Sequence, residues 1–167
     1  MEQVDPIVRL TAIEDIRQLK ARYFRCMDEK RWDDMREVFS REAHFEPGRF
    51  VIKGNDRIAE YMSEALHPLR TVHHGHMPEI TVTSPTTAHG IWALWDYVEW
   101  PVPAGEQRQG LCGYGHYHEE YVVEDEAWRI SRLLLTRLRV DLLPGGLPEL
   151  SWPRQAEPPA GSSATGS

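Results

Sequence analysis

Residues 87–142 read TAHGIWALWDYVEW (87–100), PVPAGEQRQG (101–110), LCGYGHYHEEYVV (111–123), EDEA (124–127) and WRISRLLLTRLRVDL (128–142). Three long runs rich in aromatic and branched residues are separated by a Pro/Gly loop and by a short acidic connection. That is the pattern of consecutive strands in an antiparallel sheet. Upstream, Thr71–Thr83 is also β-rich, but Pro78 interrupts it, so a bend or bulge is expected there. Ala43–Phe45 and Arg49–Ile52 flank Pro47-Gly48, which suggests a hairpin.

The first third of the chain is helical. Thr11 followed by Glu14 reads as a capping box. From there Ile13, Ile16, Leu19, Tyr23 and Met27 recur every three or four residues and mark one face of a long helix, with Glu14, Arg17 and Lys20 mostly off it. Pro6 after Asp5 suits a short leading helix. A second helix is expected over Trp32–Phe39 and a third over Asp56–Leu66, stopped by Pro68. Helices first and strands after argue for an α+β fold: a mainly antiparallel sheet with helices on one face. Such a sheet, if curled, makes a cone with an apolar mouth, a common ligand site.

Composition narrows the function. The chain has 167 residues, is 41% hydrophobic and carries a formal charge of -7. A nucleic-acid binder usually shows the opposite sign. No apolar run is long enough to span a membrane. The start, Met-Glu-Gln-Val-Asp-Pro, lacks the features of a secretory signal. Cys26 and Cys112 form no disulfide framework and no thiolate metal pair, so a reducing, cytoplasmic setting is expected. Residues 144–167 hold five prolines, four glycines and four serines in 24 positions. They form an expected tail beyond a domain of residues 1–143, disordered from about 155 onward, with Trp152 as a potential anchor.

Several side chains could carry chemistry. Asp96 shares its strand face with Trp92, Leu94, Val98 and Trp100. A buried carboxylate there is either a pocket acid, base or orienting group, or half of an ion pair with Arg132, Arg137 or Arg139. Asp28 sits near a helix C-terminus, where the macrodipole disfavours a carboxylate; it is either a solvated residue of the run Asp28-Glu-Lys-Arg31 or one kept for a task. His73, His74 and His76 cluster, and His116 and His118 share a strand face. A metal would need a third ligand, and none can be placed, so proton transfer by one histidine of the first group is the favoured reading. Arg137 and Arg139 interrupt the apolar odd face of the last strand, as partners of a carboxylate or of an anionic ligand group.

The run Ile16–Trp32, with Tyr23, Asp28 and Trp32, followed by Phe39, resembles the opening of the SnoaL-like family of the nuclear transport factor 2-like superfamily. Thr71-Val-His73-His74-Gly75 resembles the strand that carries the catalytic histidine of scytalone dehydratase and lindane dehydrochlorinase. The order Tyr23, Asp28, His73, Asp96 and Arg137 is similar to that of bile-acid 7α-dehydratase. Arg139 is the alternative for the last member, and His74 is the alternative for His73.

The resemblance implies a cone-shaped α+β barrel with three N-terminal helices on the concave side of the sheet. It implies a cofactor-independent dehydratase without a metal, acting on a hydrophobic steroid-like or polyketide-like hydroxy carbonyl compound. His73 would be the base, Asp28 its orienting partner, Tyr23 a donor to the enolate oxygen, Asp96 the acid for the leaving hydroxyl and Arg137 a substrate anchor. Phe24, Tyr61, Trp92, Tyr97 and Tyr114 would line the pocket. An isomerase or cyclase using the same base, or a non-catalytic binding module, are the alternatives. A homodimer or higher homo-oligomer is expected from the same likeness, with no nucleic-acid or membrane partner.

Overall fold

A computed structural model describes residues 4–148. In chain order the elements are α1 (Pro6–Asp28), α2 (Trp32–Arg36), β1 (Phe39–Glu46), β2 (Ile52–Lys53), α3 (Asn55–Leu66), β3 (Arg70–Ser84), β4 (Thr87–Trp100), β5 (Gln109–Glu124) and β6 (Ala127–Leu142). The six strands form one curved sheet in the order β2-β1-β6-β5-β4-β3. Every pairing is antiparallel except β1 with β6. The sheet has two free edges, β2 and β3, so the barrel is not closed.

The expected leading helix and long helix are one. Asp5 accepts hydrogen bonds from the Ile7 and Val8 amides at 2.9 and 3.2 Å, with Pro6 at the first helical position. That start is sufficient, and the Thr11–Glu14 pair falls inside a 23-residue helix. Its buried face is Ala12, Ile16, Leu19, Lys20, Tyr23, Cys26 and Met27. Lys20 therefore belongs to the buried stripe, contrary to the reading of the periodicity. The stripe packs on Trp92, Leu94, Tyr117, Tyr121, Ile130 and Leu133 from the inner face of the sheet. Each aliphatic side chain fully buried there contributes about 1.5–3 kcal/mol.

The second helix is shorter than its periodicity suggests. It ends at Arg36, because Phe39 begins β1 and pairs with Ile130 of β6. The register of β3 against β4 shifts between His76 and Glu79, around Pro78. A Pro has no amide to donate to the ladder, and the bulge absorbs it.

The two faces of β4 differ more than its composition implies. Ala88, Trp92, Leu94, Asp96 and Val98 are buried, whereas Ile91 and Ala93 are exposed and Trp95 and Tyr97 half-buried. Helices cover the inner face only. Beyond β6 the chain turns back: the Gly110 amide donates to the Gly146 carbonyl at 2.8 Å and the Gly145 amide to that of Arg108 at 3.0 Å. Trp152 and the segment expected to be disordered lie outside the described residues. Among the described residues no helix is long and apolar enough to cross a membrane.

Candidate active site

Between α1, α3 and the inner face of the sheet lies a largely apolar cavity of about 110 Å³. Met27, Phe45, Met62, Leu66, Leu69, Val98, Leu111 and Leu135 supply apolar walls; Tyr23, Tyr61, His73, Asp96, Tyr117 and Arg137 supply polar ones. A larger groove of about 850 Å³ runs between α2 and α3. It is open and charged, lined by Asp33, Asp34, Asp56, Glu60 and Glu64 among others, and contains none of Tyr23, His73, Asp96 or Arg137.

Asp28 stands behind His73. Thr71 and His73 are two apart on β3, so both point inward at the end of α1. Asp28 Oδ2 accepts the His73 backbone amide at 2.9 Å. Its Oδ1 accepts the Thr71 hydroxyl at 2.9 Å and faces His73 Nδ1 at 2.7 Å. Burial works to raise the Asp28 carboxyl, but the His73 ring, its charge, the His73 amide and the Thr71 hydroxyl outweigh it, and the net direction is down. An ionised Asp28 requires the proton on Nδ1 of His73. Nε2 is then the basic nitrogen, on a side chain that lines the cavity.

Register places the second pair. His73 lies opposite Asp96, and Asp96 opposite Gly113. Arg137 donates through Nη1 to Asp96 Oδ1 at 2.8 Å and through Nη2 to Oδ2 at 2.6 Å. Gly113 makes room for this fork, since a Cβ there would meet Arg137 Nη1 at 2.0 Å and Asp96 Oδ1 at 2.3 Å. The ion-pair alternative for Asp96 is thus the one observed. Both Asp96 oxygens accept from the guanidinium, so the carboxylate is engaged as the partner of Arg137 and not offered as the acid of the expected mechanism.

Arg137 and Arg139 do not share a face. Gly115 pairs with Arg137 but Tyr114 with Arg139, so Leu138 is an extra residue that bulges out of β6. Arg139 consequently points outward, 2.7 Å from Asp141. His74 also points outward, its ring 5.2 Å from that of Trp95.

Burial pushes the Tyr23 phenol well above its usual value; Glu119 and Asp96 add to this, while Tyr117 and Arg137 oppose it. Burial does the same to Tyr117. Both hydroxyls therefore remain protonated donors. Behind them, Lys20 and Glu119 form an ion pair whose two side chains have no solvent exposure. The ammonium lies over the Tyr23 and Tyr117 rings, 4.0 and 3.6 Å from their centroids. Burial lowers Lys20 to about 8 although Glu119 opposes it. Glu119 Oε2 also accepts the Tyr121 hydroxyl at 2.5 Å.

Four expected pocket residues lie elsewhere. Phe24 packs on Gly75 and on the Tyr117 ring. Trp92 is in the core, its indole donating to the Tyr121 hydroxyl at 2.8 Å. Tyr97 is on the outer face and donates to Glu99. Tyr114 is outward and 37% exposed. Tyr117 was the residue missed. It shares the parity of Gly113 and Gly115, and only the β4–β5 register reveals that this parity is the inner one. Among the described residues no three His, Cys, Asp or Glu side chains gather as a metal-ligand set.

A family model described as a SnoaL-like domain matches residues 8–133. Among solved structures, a type 2 hexachlorocyclohexane dehydrochlorinase, LinA, is 18% identical with a TM-score of 0.73, covering 84% of this chain and 95% of that one. A type 3 LinA from Novosphingobium barchaimii is 18% identical with a TM-score of 0.69, over 84% and 96%. A protein named as a candidate scytalone dehydratase, from Novosphingobium aromaticivorans, is 18% identical with a TM-score of 0.68, over 79% and 87%. At these identities the likeness is one of fold.

Proposed function

The chain belongs to the SnoaL-like family, of nuclear transport factor 2-like fold, and we propose that it is a cofactor-independent dehydratase. The substrate class is a hydrophobic alicyclic, steroid-like or polyketide-like compound with a hydroxyl β to a carbonyl. One observation carries the reading. His73, oriented by Asp28 at 2.7 Å, lines an apolar cavity together with two protonated tyrosines.

In this mechanism Nε2 of His73 removes the proton α to the carbonyl. The C–H electrons move into the enolate, whose oxygen accepts hydrogen bonds from Tyr23 and Tyr117. Asp28 stabilises the imidazolium. The enolate then collapses, the C–O bond to the β-hydroxyl breaks, and the imidazolium gives its proton to the departing oxygen. Water leaves, an enone remains and His73 is restored. Arg137, fixed by Asp96, uses its remaining N–H groups to hold a polar end of the substrate. Two of the similar structures bear the names of elimination enzymes, a dehydrochlorinase and a candidate dehydratase. The cavity is small beside ligand pockets of roughly 300–1,000 Å³. The reacting ring would sit at the polar end while Met27 and Met62, adaptable side chains, give way to the rest. A cytoplasmic location and a homodimer or higher homo-oligomer complete the proposal; sedimentation of the purified chain tests the latter.

Solvent exchange tests the chemistry. The protein is incubated in D₂O with a panel of cyclic ketones, enones and steroid or polyketide β-hydroxy ketones, and mass gain and water loss are followed. Deuterium uptake by the wild type that falls by at least about 10²-fold in His73→Gln is expected. Water loss among the exchanging compounds singles out the dehydratase; exchange without it makes the protein an isomerase or cyclase. Tight binding with no exchange makes it a binding module.

A further inference from the structure

The end of α1 is built in an unusual way for its position. Glu29 caps the helix, Lys30 follows in the left-handed region at φ 62°, and the Arg31 amide returns to the Cys26 carbonyl at 2.9 Å. This is the Schellman arrangement, whose left-handed residue is most often glycine because a Cβ is strained there. Here that residue is a lysine, and its side chain is used. Lys30 Nζ donates to the Thr71 hydroxyl at 2.7 Å, and the same hydroxyl donates to Asp28 Oδ1 at 2.9 Å. Asp28 Oδ1 in turn faces His73 Nδ1 at 2.7 Å. Four residues are thus linked, with Lys30 and Thr71 donating toward Asp28 Oδ1 from one side and the His73 imidazole from the other, and the ammonium polarises the hydroxyl that holds the carboxylate.

We infer that Lys30 is a positioning residue of the Asp28–His73 pair, fixing the carboxylate through Thr71 and setting a cation on the far side of it from the imidazole. The inference rests on the reading of His73 as the base. A carboxylate alone makes a neighbouring imidazole hold its proton more tightly, and a protonated base cannot abstract a proton. A cation on the far side of that carboxylate offsets part of its pull. Burial lowers the Lys30 amine, and Asp28 works to raise it, so the two groups sense each other directly. The other ionisable groups around the cavity that His73 lines are Asp96 of β4, Tyr23 of α1, Tyr61 of α3, Tyr117 of β5 and Arg137 of β6. Asp96 and Arg137 are paired with one another. Lys30, bonded to Thr71 and not to a carboxylate among the described residues, is therefore placed to balance Asp28. It also lines the open groove between α2 and α3, with its ammonium 5.9 Å from the centroid of the Trp32 ring.

The test separates function from structure by the sign of two readouts. The His73 ring proton signal, assigned by its loss in His73→Gln, is titrated by NMR in wild type, Lys30→Met, Lys30→Gly and Lys30→Arg. The midpoint is expected to move up by about half a pH unit or more in Lys30→Met and Lys30→Gly, and to return in Lys30→Arg. Melting of Lys30→Gly should occur at or above the wild-type temperature, because glycine relieves the left-handed strain. Superimposed His73 titrations in wild type and Lys30→Met would overturn the inference. So would a lower melting temperature in Lys30→Gly, which would make Lys30 a structural residue. Neither readout needs a substrate. A panel showing no His73-dependent exchange would remove the reading of His73 as the base, while the titration still decides whether Lys30 governs it.

Discussion

Arg137 grips Asp96 through two parallel hydrogen bonds of 2.8 and 2.6 Å, and the pair lies on the bare backbone of Gly113. No side chain fits beneath it. Gly113→Ala would force a methyl group to within about 2.0 Å of the guanidinium. The strand itself is extended there, so the backbone tolerates alanine and the cost falls on the fork. We expect a loss of about 1–3 kcal/mol in urea unfolding. A fall in exchange activity of about 10²-fold should accompany it, because the substrate anchor moves by roughly an ångström. Activity equal to wild type would show that Arg137 does not hold the substrate.

Asp28→Asn has a pH signature. The native carboxyl lies below its usual 3.8, with burial opposing and the His73 and Thr71 contacts prevailing. Its contribution is present in full above the unfolded-state value and is lost as pH falls through the native one. Wild type should therefore exceed Asp28→Asn in stability by about 1–3 kcal/mol at pH 6–7. The gap should shrink as pH drops below about 4. Denaturant melts at stepped pH measure it; a gap independent of pH would mean that the carboxylate's charge plays no part.

Tyr23→Phe keeps the ring over Lys20 and removes only the hydroxyl. Loss of one donor to a developing oxyanion typically costs about 10²–10³-fold in turnover. The ring contacts with Phe24, Phe39 and Tyr117, with centroids 5.5–6.1 Å away, should keep the fold in place. The exchange rate and the melting temperature of the variant, taken together, check both halves. An unchanged rate would leave Tyr117 as the donor to the enolate.

What the sequence revealed and what it hid have physical causes. Tyr23 stands on a helix whose apolar period was plain; for Asp28 and His73 the sequence offered candidates but left their facing open, with His74 the alternative to His73, and it is the hydrogen bonds to Asp28 that turn His73 inward. Residues on β5 and β6 depend on register instead. One bulge at Leu138 turns Arg139 outward, and the parity of β5 decides for Tyr117 over Tyr114. A bulge leaves no periodic trace, because side-chain alternation resumes after it in the opposite phase. Lys20 was hidden for another reason. A charged residue on an apolar stripe reads as solvated, and its partner Glu119 is 99 residues away.

That buried pair yields the sharpest stability prediction. Lys20 and Glu119 have no exposed side-chain surface, and three aromatic rings surround the ammonium. Lys20→Met leaves Glu119 an unpaired anion in the core and should cost about 3–5 kcal/mol. Glu119→Gln alone leaves an unpaired ammonium that already ionises near 8 with its partner present. It can shed its proton at neutral pH, so this variant should lose less. Lys20→Met with Glu119→Gln removes both charges, keeps the volume and lets the glutamine carbonyl accept from Tyr121. The double variant should recover most of the Lys20→Met loss, giving a coupling of about 2 kcal/mol or more. Urea unfolding of the four proteins closes the cycle. Additive losses would mean that the two charges do not stabilise each other, and that the aromatic rings alone hold Lys20 in place.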